Sequence, residues 1–297
     1  MTDSFPDRSR EIPRVLARVR PGHELQSVVQ LGEGTDHVAY EVNWDLIVRF
    51  VVDPTRRAEQ VRAEAGVLDV VKTLAPPAVP DPLLVLPDDG ILVYGKIGGA
   101  PLLHRREDLP RLDLARFGAV IGQFLSRLHH APASDFEAFA SSDRRPPGEW
   151  LVEARLNYDQ VIDSVPATRR APIGAFFAQS PPGNPQSTAF CHNDLGIEHV
   201  LVDPATLAVT GIIDWADAAI TDPACDLALI YRDLGPAALA GVLDHYAGPG
   251  EPVEHIHERA AFYARCSVFG DIAYGLLPGH DLYLAQSRAA LDWLFPL

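Results

Sequence analysis

Apolar positions change their period repeatedly along this chain of 297 residues. Over residues 25–52, LQSVVQLGEGTDHVAYEVNWDLIVRFVV, β-branched and aromatic residues recur between turn formers, which predicts three antiparallel strands broken at the glycine stretch and at Asn43-Trp44-Asp45. From 56 to 74 the period lengthens, with Val61, Ala65, Leu68 and Val71 separated by charges in the manner of a helix. The prolines of APPAVPDP then end that helix, because they lack an amide hydrogen. LLVLPDDGILVYGKI reads as two further strands around Asp88-Asp89-Gly90, so five strands and one helix make a small α+β lobe. After Gly98-Gly99 the helical period takes over: Leu114, Phe117, Ile121, Phe124, Leu125 and Leu128 form a broad stripe, and residues 254–294 read as two helices. One exception is expected in this half, a hairpin over residues 199–214 turning at Pro204-Ala205-Thr206. The proline-rich stretches at 143–150 and 180–187 read as surface loops.

The hairpin carries the chemistry. Leading into it, CHNDLGIEHVLVD places His192, Asp194, Glu198 and His199 within eight positions, and Asp214 follows its second strand. An Asp before a buried strand and another at the exit of the next face each other across a hairpin, so their carboxylates converge. The order matches the protein-kinase pattern H-R-D-L-x-x-x-N followed by D-F-G, with His199 where Asn is expected and Asp214-Trp215-Ala216 in the place of D-F-G.

Charge and cysteine usage narrow the setting. With 40 acidic and 25 basic residues the net charge is −15, which repels phosphate backbones and anionic lipid, so neither nucleic acid nor a membrane is an expected partner. The acidity serves either solubility or a cleft that concentrates a cationic substrate. Three cysteines without a C-x-x-C spacing argue against a disulfide framework and a thiolate zinc site. The charged start MTDSFPDRSREIPR has no apolar core of a leader, and no apolar run approaches the roughly 20 residues of a membrane span. A soluble protein of the reducing cytoplasm is expected.

Together these motifs resemble the aminoglycoside phosphotransferase family of small-molecule kinases, and more narrowly the branch with HND in its loop and His at the second metal position. The resemblance covers almost the whole chain: LGEGTDHVAYEV is similar to the family's nucleotide-covering loop, VRF to its third strand, and AEAGVLDVV to its pairing helix. LVYGKIGGAPL is similar to its hinge, GQFLSRLHHAP to its first long helix, and IIDWADAAITDPACDLA to its metal-binding segment. It implies a bilobal, protein-kinase-like α+β fold, with a nucleotide-binding lobe at 1–98 and a helical catalytic lobe at 99–297.

Roles follow from the resemblance. Asp194 orients or deprotonates the attacking hydroxyl, and His199 and Asp214 hold Mg2+ on the phosphates of ATP or GTP. Gly32, Gly34 and Thr35 belong to the loop over those phosphates. Arg49 stands where the family has a lysine and pairs with Glu64; Tyr94, Gly95, Lys96 and Ile97 meet the nucleobase. Asp226 braces the catalytic loop through backbone amides. His192 is read as a packed, hydrogen-bonded histidine, and Glu198 as a solvated or substrate-facing charge, while Asp217 and Asp222 have no role separable from solvation or capping.

The acceptor is a small molecule with a hydroxyl, first an aminoglycoside, with a macrolide, another antibiotic or an endogenous metabolite as alternatives. Residues 231–248 hold Asp233 and Asp244 as their only acids, few for a polycationic sugar. A metallohydrolase using His192, Asp194, His199 and Asp214 is a rival reading, though it leaves Arg49, Glu64 and the glycine turn without a purpose. A nucleotide-binding module without turnover is the third.

Overall fold

A computed structural model of the chain describes residues 7–33 and 37–297. Strands β1 (Val28–Glu33), β2 (His37–Val42), β3 (Leu46–Val51), β4 (Pro82–Leu86) and β5 (Ile91–Gly95) form one antiparallel sheet in the order β1-β2-β3-β5-β4. Period-two alternation divides β3 between two environments. Leu46, Val48 and Phe50 join Val38, Tyr40, Val42, Ile91 and Val93 beneath the helix α1 (Ile12–Val19), which contributes Ile12, Val15 and Leu16. The other register, Ile47 and Arg49, lines the cleft together with Leu92 and Tyr94 of β5. On that side Ile47, Leu92 and Tyr94 join Val67, Leu68 and Val71 of α2 (Arg57–Val71) in the main core.

The lobe thus holds two helices where one was expected. Ile12, Val15, Leu16 and Val19 repeat with helical spacing and Pro13 occupies the first turn, a pattern that the charged residues around it obscure.

The remaining helices are α3 (Leu114–His130), α4 (Pro147–Val161), α5 (Arg170–Phe177), α6 (Ala224–Leu243), α7 (Val253–Gly275) and α8 (Asp281–Leu294). Residues 143–150 are a loop only as far as Pro146; Pro147 opens α4, since a missing amide hydrogen costs nothing in a first turn. Helix α6 bends at Gly235, whose φ of 80° precedes Pro236.

Six short strands accompany these helices: β6 (Ala100–Pro101), β7 (Ser141–Ser142), β8 (Ala189–Cys191), β9 (Val200–Val202), β10 (Val209–Ile212) and β11 (Ala219–Thr221). The hairpin β9-β10 lies within the span expected for it and gains β6 as a third strand. It is not the only β structure in this half, because β11 pairs with both β7 and β8. Strands of two or three residues are too short to show alternation, and only tertiary pairing creates them.

Helices α3 and α6 cross at glycines. A side chain at Gly118 would be driven into the backbone of Gly241, and one at Gly122 into the carbonyl of Val242. Gly118→Ala should therefore lower unfolding free energy by about 1–3 kcal/mol. Gly174→Ala in α5, with open space around the position, should be neutral or stabilising by up to about 1 kcal/mol. Urea denaturation of the two variants checks this; equal effects would contradict the close crossing.

Candidate active site

The loop between β8 and β9 is shaped by a buried carboxylate. Asp226, in the first turn of α6, accepts hydrogen bonds from two consecutive amides, His192 N at 3.0 Å and Asn193 N at 2.7 Å. That grip turns the chain at Asn193, whose φ of 66° is one that asparagine tolerates better than most side chains. Burial opposes charge on Asp226, yet His129, His192 and the Asn193 amide outweigh it and hold the carboxyl below its usual range. His129 of α3 bonds Asp226 Oδ2 through Nε2 at 3.0 Å and the Tyr246 hydroxyl through Nδ1 at 2.7 Å. Sequence reasoning missed His129 and Tyr246, although His129 follows Leu125 by four residues on the apolar face of α3.

His192 is fully buried. Its Nε2 donates to the carbonyl of Ile213 at 2.9 Å, and its Nδ1 accepts from the amide of Asp194 at 3.3 Å, so the ring ties the loop to the exit of β10. Burial pushes its pKa down to about 4. Asp214 follows immediately, at a φ of 64°, and Asp194 lies on the other side of His199. His199 Nδ1 donates to the Asp194 carbonyl at 2.8 Å and stands 3.5 Å from its carboxylate; Nε2 faces Asp214 Oδ2 at 3.7 Å. Two carboxylates thus converge on one imidazole. Burial opposes charge on His199, but Asp194, Asp214 and Glu198 outweigh it and push its pKa up to about 9. Asp194 is pushed up to about 6, mainly by burial, against the pull of His199.

The sheet supplies the cationic counterpart. Arg49, on the cleft face of β3, forms a buried ion pair with Glu64 of α2 and reaches Asp214 Oδ1 with Nη2 at 3.1 Å. Burial works against the ionised form of both partners; it raises the Glu64 carboxyl, whereas Asp214 and Glu64 keep the Arg49 guanidinium protonated. Asp214 is held well below the usual range despite burial, by Arg49, His37 and His199. His37, missed in the sequence, stands 2.5 Å from Arg49 Nη2 and 3.5 Å from Asp214 Oδ2. Its signal was its place at the start of β2, directly after the GEGTD stretch.

Other expected positions are more mixed. Tyr94, Lys96 and Ile97 line the cleft. The Lys96 amide already donates to the Asp45 carbonyl at 2.8 Å, and its Nζ pairs with Glu41 at 2.5 Å. Gly95 closes the β5 ladder opposite Leu46. Gly32 sits in β1 where the register to β2 slips, and Gly34 and Thr35 lie outside the described residues. Glu198 is not solvated: it is half-buried, 3.9 Å from Arg232. Asp222 is buried and structural, receiving Arg259 Nε at 2.6 Å and the Tyr263 hydroxyl at 3.0 Å.

A cleft of about 1280 Å³ joins these groups, with Arg49, Glu64, Tyr94 and Lys96 on one wall, Asp194, His199 and Asp214 between, and Glu198, Asp271, Tyr274 and Tyr283 beyond. It exceeds the roughly 300–1,000 Å³ of a single small-ligand site. For a metal, Asp214 offers a carboxylate oxygen and His199 its Nε2, since Nδ1 is engaged by the Asp194 carbonyl; with the ring's pKa at about 9, Nε2 would ligate by giving up the proton it holds toward Asp214 at neutral pH. Donor atoms of Asp194, Glu198 and His199 also gather within 4.8 Å, but through the same single imidazole.

A small antiparallel sheet with its helix over a helical lobe, with acidic groups in the cleft, is the bilobal α+β architecture of kinase-like phosphotransferases. Residues 27–262 match the phosphotransferase enzyme family, and the chain belongs to that family. A Streptomyces fradiae aminoglycoside 3'-phosphotransferase is 31% identical over 155 residues, 44% of this chain and 53% of that protein. The chain spans between 27 and 61% of the length of the curated relatives it matches. Among solved structures, a GDP and kanamycin complex of APH(2")-IIia superposes with a TM-score of 0.72 at 20% identity, covering 95% of this chain and 97% of the other. A macrolide 2'-phosphotransferase type I does so with a TM-score of 0.62 at 23% identity, covering 97% and 98%.

The buried His192 should leave a pH signature in stability. The folded ring takes its proton only near pH 4, the unfolded one near 6.5, so the unfolded chain binds more protons in between and stability falls as pH drops through that window. Relative to His192→Gln, the wild-type protein should lose about 3 kcal/mol between pH 7 and pH 4. Urea denaturation of both proteins across that range checks it; a constant difference would show that His192 is not buried neutral.

Proposed function

We propose that the protein transfers the γ-phosphoryl group of ATP or GTP to a hydroxyl of a small molecule, with the donor under residues 1–98 and the acceptor on residues 99–297. The observation that carries this is the convergence of Asp194 and Asp214 on His199, with Arg49 and Glu64 closing over Asp214 from the sheet. Phosphoryl transfer requires positioning and charge neutralisation, and this arrangement offers both. Asp214 and Nε2 of His199 would hold Mg2+, which would supply charge neutralisation for the donor's phosphates. Arg49 adds a guanidinium suited to phosphate oxygens, oriented by Glu64. Asp194 accepts the proton of the acceptor hydroxyl; with its pKa near 6 it is ionised at neutral pH yet basic enough to take part in the transfer. Tyr94, Gly95, Lys96 and Ile97 would border the nucleobase, and the covering of the phosphates is assigned to the segment that begins at Gly32, of which Gly34 and Thr35 lie outside the described residues.

The metallohydrolase reading loses its fourth ligand, because both nitrogens of His192 are engaged inside the fold. An antibiotic acceptor, first an aminoglycoside, is supported by the kanamycin complex and the Streptomyces relative, with a macrolide next. Residues 231–248 do not supply its acids: Asp244 is exposed, and Asp233 is spent on Arg232. Glu198 and Asp271 line the acceptor half instead. A cytoplasmic setting belongs to the same proposal; Cys191, Cys225 and Cys266 are free, buried thiols, and among the described residues no helix is long and apolar enough to cross a membrane.

Asp194→Asn keeps the shape and loses the base, so turnover should fall by roughly 10² to 10⁴ with nucleotide affinity retained. Asp214→Asn should lower metal-dependent nucleotide affinity and turnover together. Calorimetry with Mg2+ and nucleotide, beside kcat on folded variants, checks both. Nucleotide binding abolished by Asp194→Asn and untouched by Asp214→Asn would reverse the assignment.

A further inference from the structure

The cleft face of β2 carries His37, Ala39 and Glu41, while Val38, Tyr40 and Val42 turn into the core. Ala39 lies directly opposite Arg49 of β3, so His37 is the diagonal neighbour of Arg49 on the same face. A methyl group between them leaves the imidazole room to lean across, and its Nε2 comes to 2.5 Å from Arg49 Nη2. A guanidinium only donates, so Nε2 offers its lone pair and the ring carries its proton on Nδ1. The same nitrogen stands 3.5 Å from Asp214 Oδ2, the outer edge of hydrogen-bonding range, so Arg49 has the first claim on it. The fork of Arg49 is thereby held by Glu64 at Nη1, and at Nη2 by His37 and by Asp214 Oδ1 at 3.1 Å.

Two of these acceptors are carboxylates and one is not, a difference that matters beside phosphates. Glu64 and Asp214 already set two negative charges against one guanidinium. A carboxylate at position 37 would hold the fork as well, but its added charge would repel a polyphosphate. An imidazole accepts the bond without that charge. Asp214 is also assigned to the metal, which leaves Glu64 and His37 to hold the two ends of the fork. We propose that His37 is a positioning residue for the donor: it holds the Nη2 end of Arg49 as Glu64 holds the Nη1 end, so that the guanidinium meets the nucleotide's phosphates in one fixed orientation. The proposal rests on the kinase reading for what the guanidinium meets, whereas the contact of ring and fork belongs to the protein alone.

The test uses the whole chain, with Kd for ATP and GTP measured by calorimetry in the presence of Mg2+, steady-state KM and kcat beside it, and melting temperatures confirming that each variant is folded. His37→Gln, whose side-chain oxygen stands in for Nε2, should bind nucleotide within about twofold of wild type, and His37→Leu, which fills the space without an acceptor, about three- to tenfold more weakly, with the loss in KM rather than kcat. His37→Glu, an acceptor that brings the added charge, should bind no better than His37→Leu. In an Arg49→Lys background, which has no second nitrogen for the ring to hold, His37→Leu should cost less than about twofold more. Wild-type affinity in His37→Leu or His37→Glu, failure of His37→Gln to retain binding, or an undiminished loss in the Arg49→Lys background, the mark of a ring that touches the nucleotide itself, would overturn the proposal. The contact is read without nucleotide by nitrogen NMR of histidine-labelled protein: the His37 signal should show Nδ1 protonated and Nε2 bare, and should move in Arg49→Lys, whereas a proton on Nε2 would overturn the contact. A wild-type protein with that signature but no nucleotide binding would overturn the kinase reading, and the donor role with it, while establishing the contact.

Discussion

The cleft depends on one carboxylate that faces no substrate. Asp226 is completely buried and spends both oxygens on the amides of His192 and Asn193, and it is in turn held by His129. Charge-assisted bonds of this kind are strong in a water-poor interior, and removing one partner of a buried pair commonly costs about 3–5 kcal/mol. Without that grip the turn at Asn193 loses both of its backbone anchors to α6, and the placing of Asp194 falls to the bonds of its amide with His192 and of its carbonyl with His199. The site's geometry is therefore set from below, by α3 and α6, while its charge balance is set from above, by Arg49.

The charge balance explains why a group as costly to bury as Arg49 is retained. Its guanidinium bridges Glu64 on a helix and Asp214 on the other lobe, so the same cation that orients the sheet's helix also spans the cleft. An acidic excess is present throughout: Asp194, Glu198, Asp214 and Asp271 line one cavity. Part of the net charge of −15 is thus local to the cleft, where acidic side chains outnumber basic ones.

What was legible in the sequence was local. The five-stranded sheet followed from β-branched and aromatic residues recurring between turn formers, and the approach of Asp194 to Asp214 from a hairpin that needs only a few intervening residues. Arg49 could be placed by its strand and Glu64 by the helix that follows. The contacts that escaped are those between distant segments: His37 reaches Asp214 across 177 residues of chain, counting from 37 to 214, and His129 meets Asp226 from a different helix. Nothing nearby in sequence marks either imidazole as different from His130 or His23. The two-residue strand β7 and the helix α4 escaped for other reasons, one too short for a pattern and one hidden behind prolines that start helices as readily as they end them.

The glycine crossing of α3 and α6 acquires a different meaning in this light. Gly118 and Gly122 let the two backbones touch, and His129 lies on the same α3, about 16 Å along the axis from Gly118 at 1.5 Å per residue. Because the spacing of the helices is fixed by main chain against main chain, it does not vary with side-chain rotamers, and the reach from His129 to Asp226 inherits that invariance. The crossing works as a gauge block: a rigid spacer, remote from the cleft, against which the height of the loop carrying Asp194 is machined.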